Sequence, residues 1–182
     1  MDSEACDVLI IGGGPGGSSC AWGLRDSGLD VLILDKATFP RDKVCAGWIT
    51  PAVADLLELD LSDYKQDHVL QPITRFRTGI IGGTAIQTEY SQIVSYGIRR
   101  CEFDDYLLKR CKARTRLGEP FKSMERVSGE WIINGTLCAK IVVGAGGHFC
   151  PVARWMNQKQ ELGKPVVLAQ ESEFLLSPEQ HN

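Results

Sequence analysis

The stretch DVLIIGGGPGGSSCAWGLRDSGLDVLILD, residues 7–35, decides how this chain reads. An apolar run, Val8 to Ile11, feeds directly into Gly12-x-Gly14-x-x-Gly17. A helix-compatible stretch follows, then a second apolar run, Val31 to Leu34, closed by Asp35. Strand, glycine turn, helix, strand and acid in this order make the dinucleotide-binding βαβ unit. Gly12 permits the tight turn out of the strand. Gly14 has no side chain, so a pyrophosphate can come close to the backbone. Gly17 lets the helix pack on the sheet. Pro15 and Gly16 complete the same turn. The helix start offers unpaired N–H groups and partial positive charge to phosphate. Asp35 stands 18 positions after Gly17, close to the expected ~20, and can accept hydrogen bonds from ribose hydroxyls. Its charge argues against a 2′-phosphate at this site.

The chain has 182 residues, 43% of them hydrophobic and 24% charged, with a net charge of −3. That is enough chain for a sizeable core, and the slight acidity gives no support for nucleic acid or for electrostatic attraction to anionic membranes. No apolar run approaches the ~20 residues of a spanning helix. The acidic start, Met1-Asp-Ser-Glu, lacks the basic and apolar regions of a signal peptide. Seven cysteines, an odd number without a CxxC pair, read as reduced thiols of a cytoplasmic protein, with no zinc or other metal site.

Beyond the first unit, the segment from Lys36 to Ile49 reads as loop, and Thr50-Pro51 as the cap and first residue of a short helix to about Glu58. Residues 59–71 are ambiguous. Strands are expected at 73–81, 84–90 and 92–96, then a helix from about Glu102 to Ala113, with strands near 120–127 and 130–133. Asn134-Gly135 signals a type I′ hairpin turn. The next strand runs into IVVGAGG, 141–147, a short helix opens at Pro151, and 165–174 reads as a last strand. A doubly wound domain opened at 7–35 and re-entered at 141–147 needs more elements to close, so the chain reads as the N-terminal part of a longer protein. Expressed alone, it is expected to be poorly soluble or to bind its cofactor weakly.

Three further blocks are FPRDKVCAGWITP (39–51), RRCEFDDYLL (99–108) and VVGAGGHFCPVAR (142–154). With GGGPGG they resemble the geranylgeranyl-reductase-like branch of the FAD-dependent oxidoreductases, relatives of group A flavin monooxygenases and flavin halogenases. The resemblance implies an α/β fold. A Rossmann-like FAD-binding domain of the glutathione-reductase type would occupy residues 1–72 and 99–157. A β-rich substrate domain would be interleaved at 73–98 and begin again at 158–182. FAD would be the cofactor, with NAD(P)H as a candidate reductant. It implies that Lys36, Arg41 and the loop through Cys45, Ala46 and Gly47 lie beside the cofactor, as do Arg99 (preferred over Arg100) and Gly144, Ala145 and Gly146. The usual Gly-Ala-Asp-Gly is here Gly-Ala-Gly-Gly, and the common Cys-Gly-Gly is Cys45-Ala46-Gly47. The change at Ala46 is mild if its φ is negative and costly if positive.

The implied activity is reduction of a carbon–carbon double bond in a small hydrophobic, isoprenoid-like substrate. An FAD monooxygenase or halogenase is the first alternative, and a non-catalytic FAD-binding fragment the second. No catalytic residue is assigned, and peripheral membrane contact and oligomeric state stay open. Cys45, beside Arg41 and Lys43, reads first as a packing residue, and His148 as structural before proton-transferring. Trp48 is a candidate for the edge of the substrate cavity. Asp104 and Asp105 are adjacent on a helix and so cannot share a face. They read as solvated first-turn acids that favour the helix dipole.

Overall fold

The computed structural model describes residues 4–156, 170–172, 174 and 177. The elements in order are β1 (Glu4–Ile11), α1 (Pro15–Gly23), β2 (Val31–Asp35), β3 (Trp48–Ile49), α2 (Pro51–Leu56), α3 (Leu61–Asp67), β4 (Leu70–Ile73), β5 (Arg75–Gly79) and β6 (Ala85–Glu89). They continue with β7 (Ser95–Ile98), α4 (Arg100–Arg110), β8 (Arg114–Leu117), β9 (Met124–Val127), β10 (Glu130–Ile133), β11 (Leu137–Gly144) and α5 (Pro151–Met156). The strand expected at 165–174 and the segment 158–182 lie outside the described residues, except for isolated positions that are not strand.

The main sheet has six strands in the order β8-β2-β1-β11-β10-β9. β8, β2, β1 and β11 run parallel, while β10 and β9 form an antiparallel meander on the β11 side. This is the Rossmann-type α/β fold that the first motif announces. The parallel centre is covered on both faces, so β1 and β2 read as continuous apolar runs. Val8, Ile10, Val31 and Ile33 face Ala21 of α1, Leu108 of α4 and Cys111 at the end of α4. Leu9, Ile11, Leu32 and Leu34 face Ile133, Leu137 and Val152. Leu9, Ile10 and Ile33 are fully buried, each such side chain contributing about 1.5–3 kcal/mol relative to exposure.

A second, three-stranded sheet has the order β3-β7-β4, and among the described residues β5 pairs only with β6. The fully buried Tyr64 of α3, with Ile49 and Ile98, joins the small sheet to Phe103 and Leu107 of α4. Helix α4 thus presents one apolar face to each of the two larger sheets.

Several boundaries differ from expectation. The ambiguous 59–71 contains α3, whose N-cap Asp60 accepts hydrogen bonds from Ser62 N–H and Asp63 N–H. Strand β8, Arg-Thr-Arg-Leu, was not expected, because it has no apolar run. It lies at a sheet edge, where charged side chains are favoured. There Arg114 pairs with Glu4 and Asp30, and Arg116 with Glu4 and Glu119. These bonds, led by that from Arg116, hold the Glu4 carboxyl below its ordinary range. Helix α1 ends at Gly23, and Gly28, with φ +74°, lies in the connection to β2. Asn134 and Gly135 have φ of +53° and +70°, and Thr136 N–H closes the turn onto Ile133 O, as a type I′ turn requires.

Candidate functional site

The carboxyl ends of β1, β2 and β11 open onto one cleft of about 1090 Å³. Ligands of open α/β sheets bind at this edge. Gly12, Gly14, Pro15, Gly16, Asp35, Lys36, Arg41, Gly144, Ala145 and Gly146 all line it. Residues scattered over the first 146 positions are brought together because β11 pairs with β1 in register, Ile11 opposite Gly144.

The glycines are dictated by backbone contact as much as by ligand space. Gly12 has φ +116°, and a Cβ there would stand 2.5 Å from the Ala145 carbonyl oxygen. A Cβ on Gly17 would fall 1.8 Å from the Gly12 carbonyl oxygen. Gly17 is therefore the seam where α1 meets the turn, behind the cleft. Gly16 has nothing within 4 Å of an added Cβ, and Gly14 has only Arg41 Nη2, at 3.3 Å. The cradle at the α1 N-terminus is thus open. No side chain caps α1 and no acid occupies its first turn, leaving N–H groups and dipole available to an anion.

Asp35 ties the turn together. Its Oδ2 accepts a bond of 2.7 Å from Gly13 N–H, and its Oδ1 one of 2.8 Å from Ala37 N–H. An ionised carboxylate has about four acceptor sites, so two bonds leave capacity for hydroxyls.

Residues 45–47 do not line the cleft. Gly47 has φ +68°, its carbonyl accepts Ile98 N–H at 2.8 Å, and a Cβ on it would lie 2.7 Å from Ile98 O. This loop is stitched to the end of β7. Ala46 is not among the residues of positive φ, so replacement of glycine there is the mild case. The Cys45 amide donates to Glu171 Oε2 at 2.5 Å, and its thiol meets the Arg100 guanidinium. Burial pulls Arg100 down, and its bonds to Asp104 and Cys45 more than offset this, leaving it raised. Trp48 also lies away from the cleft, edge-on to Phe76 at 5.2 Å between ring centroids. His148 lines the cleft, packed against Phe149.

Two expectations on α4 need correction. Arg100, not Arg99, lines the cleft, while Arg99 pairs with Glu102 at 2.7 Å. Asp104 and Asp105 are not solvated: Asp104 is 0% and Asp105 8% exposed. Asp105 pairs with Lys109. Asp104 lies between Arg100 Nε at 2.5 Å and Arg41 Nη2 at 3.2 Å. The signal was present, because Asp104 precedes the buried Leu107, Leu108 and Cys111 by three, four and seven positions. That spacing puts it on the buried stripe of the helix. Among the described residues no cluster of potential ligands could hold a metal ion, and the seven cysteines are free thiols.

Residues 10–49 match the family model described as an NAD(P)-binding Rossmann-like domain. With the sheet order and the glycine turn, this marks a Rossmann-type α/β fold. Among curated proteins, it is 33% identical over 170 residues to a menaquinone reductase of Mycobacterium tuberculosis, covering 86% of this chain and 41% of that protein. It is 31% identical over 130 residues to a geranylgeranyl diphosphate reductase of Rhodobacter capsulatus, covering 69% of this chain and 28% of that protein. A solved structure of the halogenase PltM in complex with FAD superposes with a TM-score of 0.64 at 21% identity, over 84% of this chain and 36% of that one. A flavin-dependent halogenase and an FAD-dependent monooxygenase of fungi match as well. The resemblance to FAD-dependent oxidoreductases is therefore borne out, and those relatives are enzymes. The chain spans less than half the length of each curated relative named here. No helix among the described residues is long and apolar enough to cross a membrane.

Proposed function

We propose that the cleft receives FAD, as part of an oxidoreductase that reduces carbon–carbon double bonds of a hydrophobic, isoprenoid-like substrate. The observation that carries this reading is the uncapped α1 N-terminus at Gly14, flanked by Arg41 on one side and by Asp35 at the end of β2 on the other. The residues fit the group. Gly14 and Gly16 leave space at the helix start, and Arg41 Nη1 is a buried donor with no hydrogen-bond partner. In this reading Gly12 to Gly16 and Arg41 hold the diphosphate, Asp35 accepts from the ribose, and the Gly144–Gly146 loop borders the flavin side. Residues 1–72 and 99–157 serve the cofactor, and 73–98 the substrate side. When bound, the flavin supplies the electron-accepting and electron-donating ring, with NAD(P)H as the reductant proposed. The chain's own part is to bind the diphosphate, fix the cofactor's orientation and border its ring.

The substrate class rests on the two reductases among the relatives. The halogenase and monooxygenase relatives favour a second reading, in which O₂ would be a co-substrate of the enzyme that carries this chain. Substrate-dependent oxygen uptake by the enzyme that carries this chain supports the second reading, and turnover without oxygen uptake the first. The cofactor site is tested by titrating the chain with FAD. Gly14→Val is expected to abolish binding while preserving the circular-dichroism spectrum, since the only near neighbour of its Cβ is the far end of Arg41. Undiminished affinity in that variant would place the phosphates elsewhere.

A further inference from the structure

Asp104 is a fully buried carboxylate on the inner stripe of α4. Both of its oxygens meet cations: Oδ1 accepts a bond of 2.5 Å from Arg100 Nε, and Oδ2, without a hydrogen-bond partner among the described residues, stands 3.2 Å from Arg41 Nη2 as an ion pair. The two arginines come from distant parts of the chain, the loop after β2 and the first residue of α4. Their side chains are only 20% and 22% exposed, and both line the cleft.

Arg41 is held on several sides. Its guanidinium carbon lies 4.7 Å from the centre of the Phe39 ring. Its Nη2 stands 3.3 Å from the point where a Gly14 Cβ would be. Its Nη1 is buried and has no hydrogen-bond partner among the described residues. A buried donor without a partner is unusual in a native fold. Here it lies on a guanidinium clamped beside a helix start whose own N–H groups are uncapped.

We infer that Asp104 is a positioning residue for anion recognition: its carboxylate clamps Arg41 and Arg100 beside Gly14, so that a diphosphate meets a guanidinium already aimed. The inference rests on the reading of the cleft as the diphosphate site. Two half-buried guanidiniums sharing no carboxylate repel one another and regain hydration by turning to solvent. Removing one partner of a buried ionic group leaves an uncompensated charge. With Asp104 present the cluster is two cations to one anion. It keeps one net positive charge for the ligand, and the ordering of both side chains precedes binding. The Arg41 fork is what allows this, since a guanidinium can engage a carboxylate and a phosphate together and an ammonium cannot do so in a plane.

The test is calorimetric titration of the full chain with ADP and with adenosine, probes that differ by the diphosphate. The measured quantity is the ratio of the two affinities, with folding followed by thermal melting. In Asp104→Asn, which keeps shape and removes charge, the ADP preference is expected to fall about tenfold, as for loss of a charge-assisted contact, while adenosine binds within about twofold of the parent. A role confined to stability lowers the melting temperature and leaves the ratio alone. A ratio unchanged or increased in folded Asp104→Asn overturns the inference. If that variant does not fold, Arg41→Lys decides. It keeps the charge but not the fork, and the inference requires its ratio to fall, so an unchanged ratio overturns it. Arg41→Gln separates the two levels. A ratio that falls in Arg41→Gln but in neither other variant sinks the inference alone. A ratio unmoved in Arg41→Gln, or a parent chain that binds ADP no better than adenosine, sinks the reading of the cleft and the inference with it.

Discussion

Strands β1 and β6 carry apolar residues to opposite fates. Strand β1 lies between β2 and β11, and its last four residues, Val8 to Ile11, are all buried. Among the described residues strand β6 has a single partner, β5, and every one of its residues is exposed. Ile86 on β6 is 73% exposed, and Ile81 in the turn before it 103%, whereas Ile10 on β1 is 0% exposed. The same side chain is core in one strand and surface in the other. The difference lies in the number of layers that meet each strand. β1 is covered by α1 and α4 on one face and by α5 and the meander's residues on the other. Among the described residues, Trp48 meets Phe76 of β5 edge-on, but β6 itself stays exposed along its whole length. Stability should therefore be concentrated in the six-stranded sheet, and substitutions should grade accordingly.

The largest effect is expected at the seam of the first unit. Gly17→Val places a branched side chain where a Cβ alone would come within 1.8 Å of the Gly12 carbonyl oxygen. Neither α1 nor the turn can yield without separating from β1, so the loss should reach about 3 kcal/mol or more. Urea denaturation measures it, and a midpoint within error of the parent would break the contrast at its strongest point.

A middle-sized effect is expected on β1 at alkaline pH. Burial pushes the Cys6 thiol up from 9.0 to about 11. A group whose folded pKa is raised stabilises the fold below its unfolded value, and that contribution is lost as pH climbs through the folded one. The parent chain should therefore lose about 1–3 kcal/mol between pH 9 and 11. Cys6→Ala should lack this part of the loss, whatever its stability at neutral pH. Parallel melting curves against pH for the two proteins would show that Cys6 does not titrate with unfolding.

The smallest effect is expected on the hairpin. Ile86→Ser should change stability by no more than about 0.5 kcal/mol, as for other exposed positions. A loss several times larger in the same urea experiment would show that the hairpin is covered after all, and would erase the contrast.

The first βαβ unit was legible because its signals are local. The two apolar runs, the three glycines and the acid each carry meaning at short range, and β1, α1 and β2 formed close to where the pattern placed them. The Asn134-Gly135 turn was legible for the same reason. Strand β8 was not, because its Arg-Thr-Arg-Leu pattern makes sense only once Glu4, Asp30 and Glu119 stand beside it. Arg100 and Asp104 were misjudged for a related reason. Spacing of four shows that they can pair, but not that the pair is buried or that Arg41 joins it.

From the residues alone came the kind of unit this chain contains: a turn that only glycine can make, a helix start left open to an anion, and an acid at the end of the second strand. Those follow from backbone sterics and hydrogen-bond chemistry within some thirty residues. Which arginine faces the cleft, which acid is buried and which isoleucines are core were decided by tertiary structure. Each depends on a partner more than thirty residues away in sequence, and burial is a property of what packs over a side chain rather than of the side chain itself.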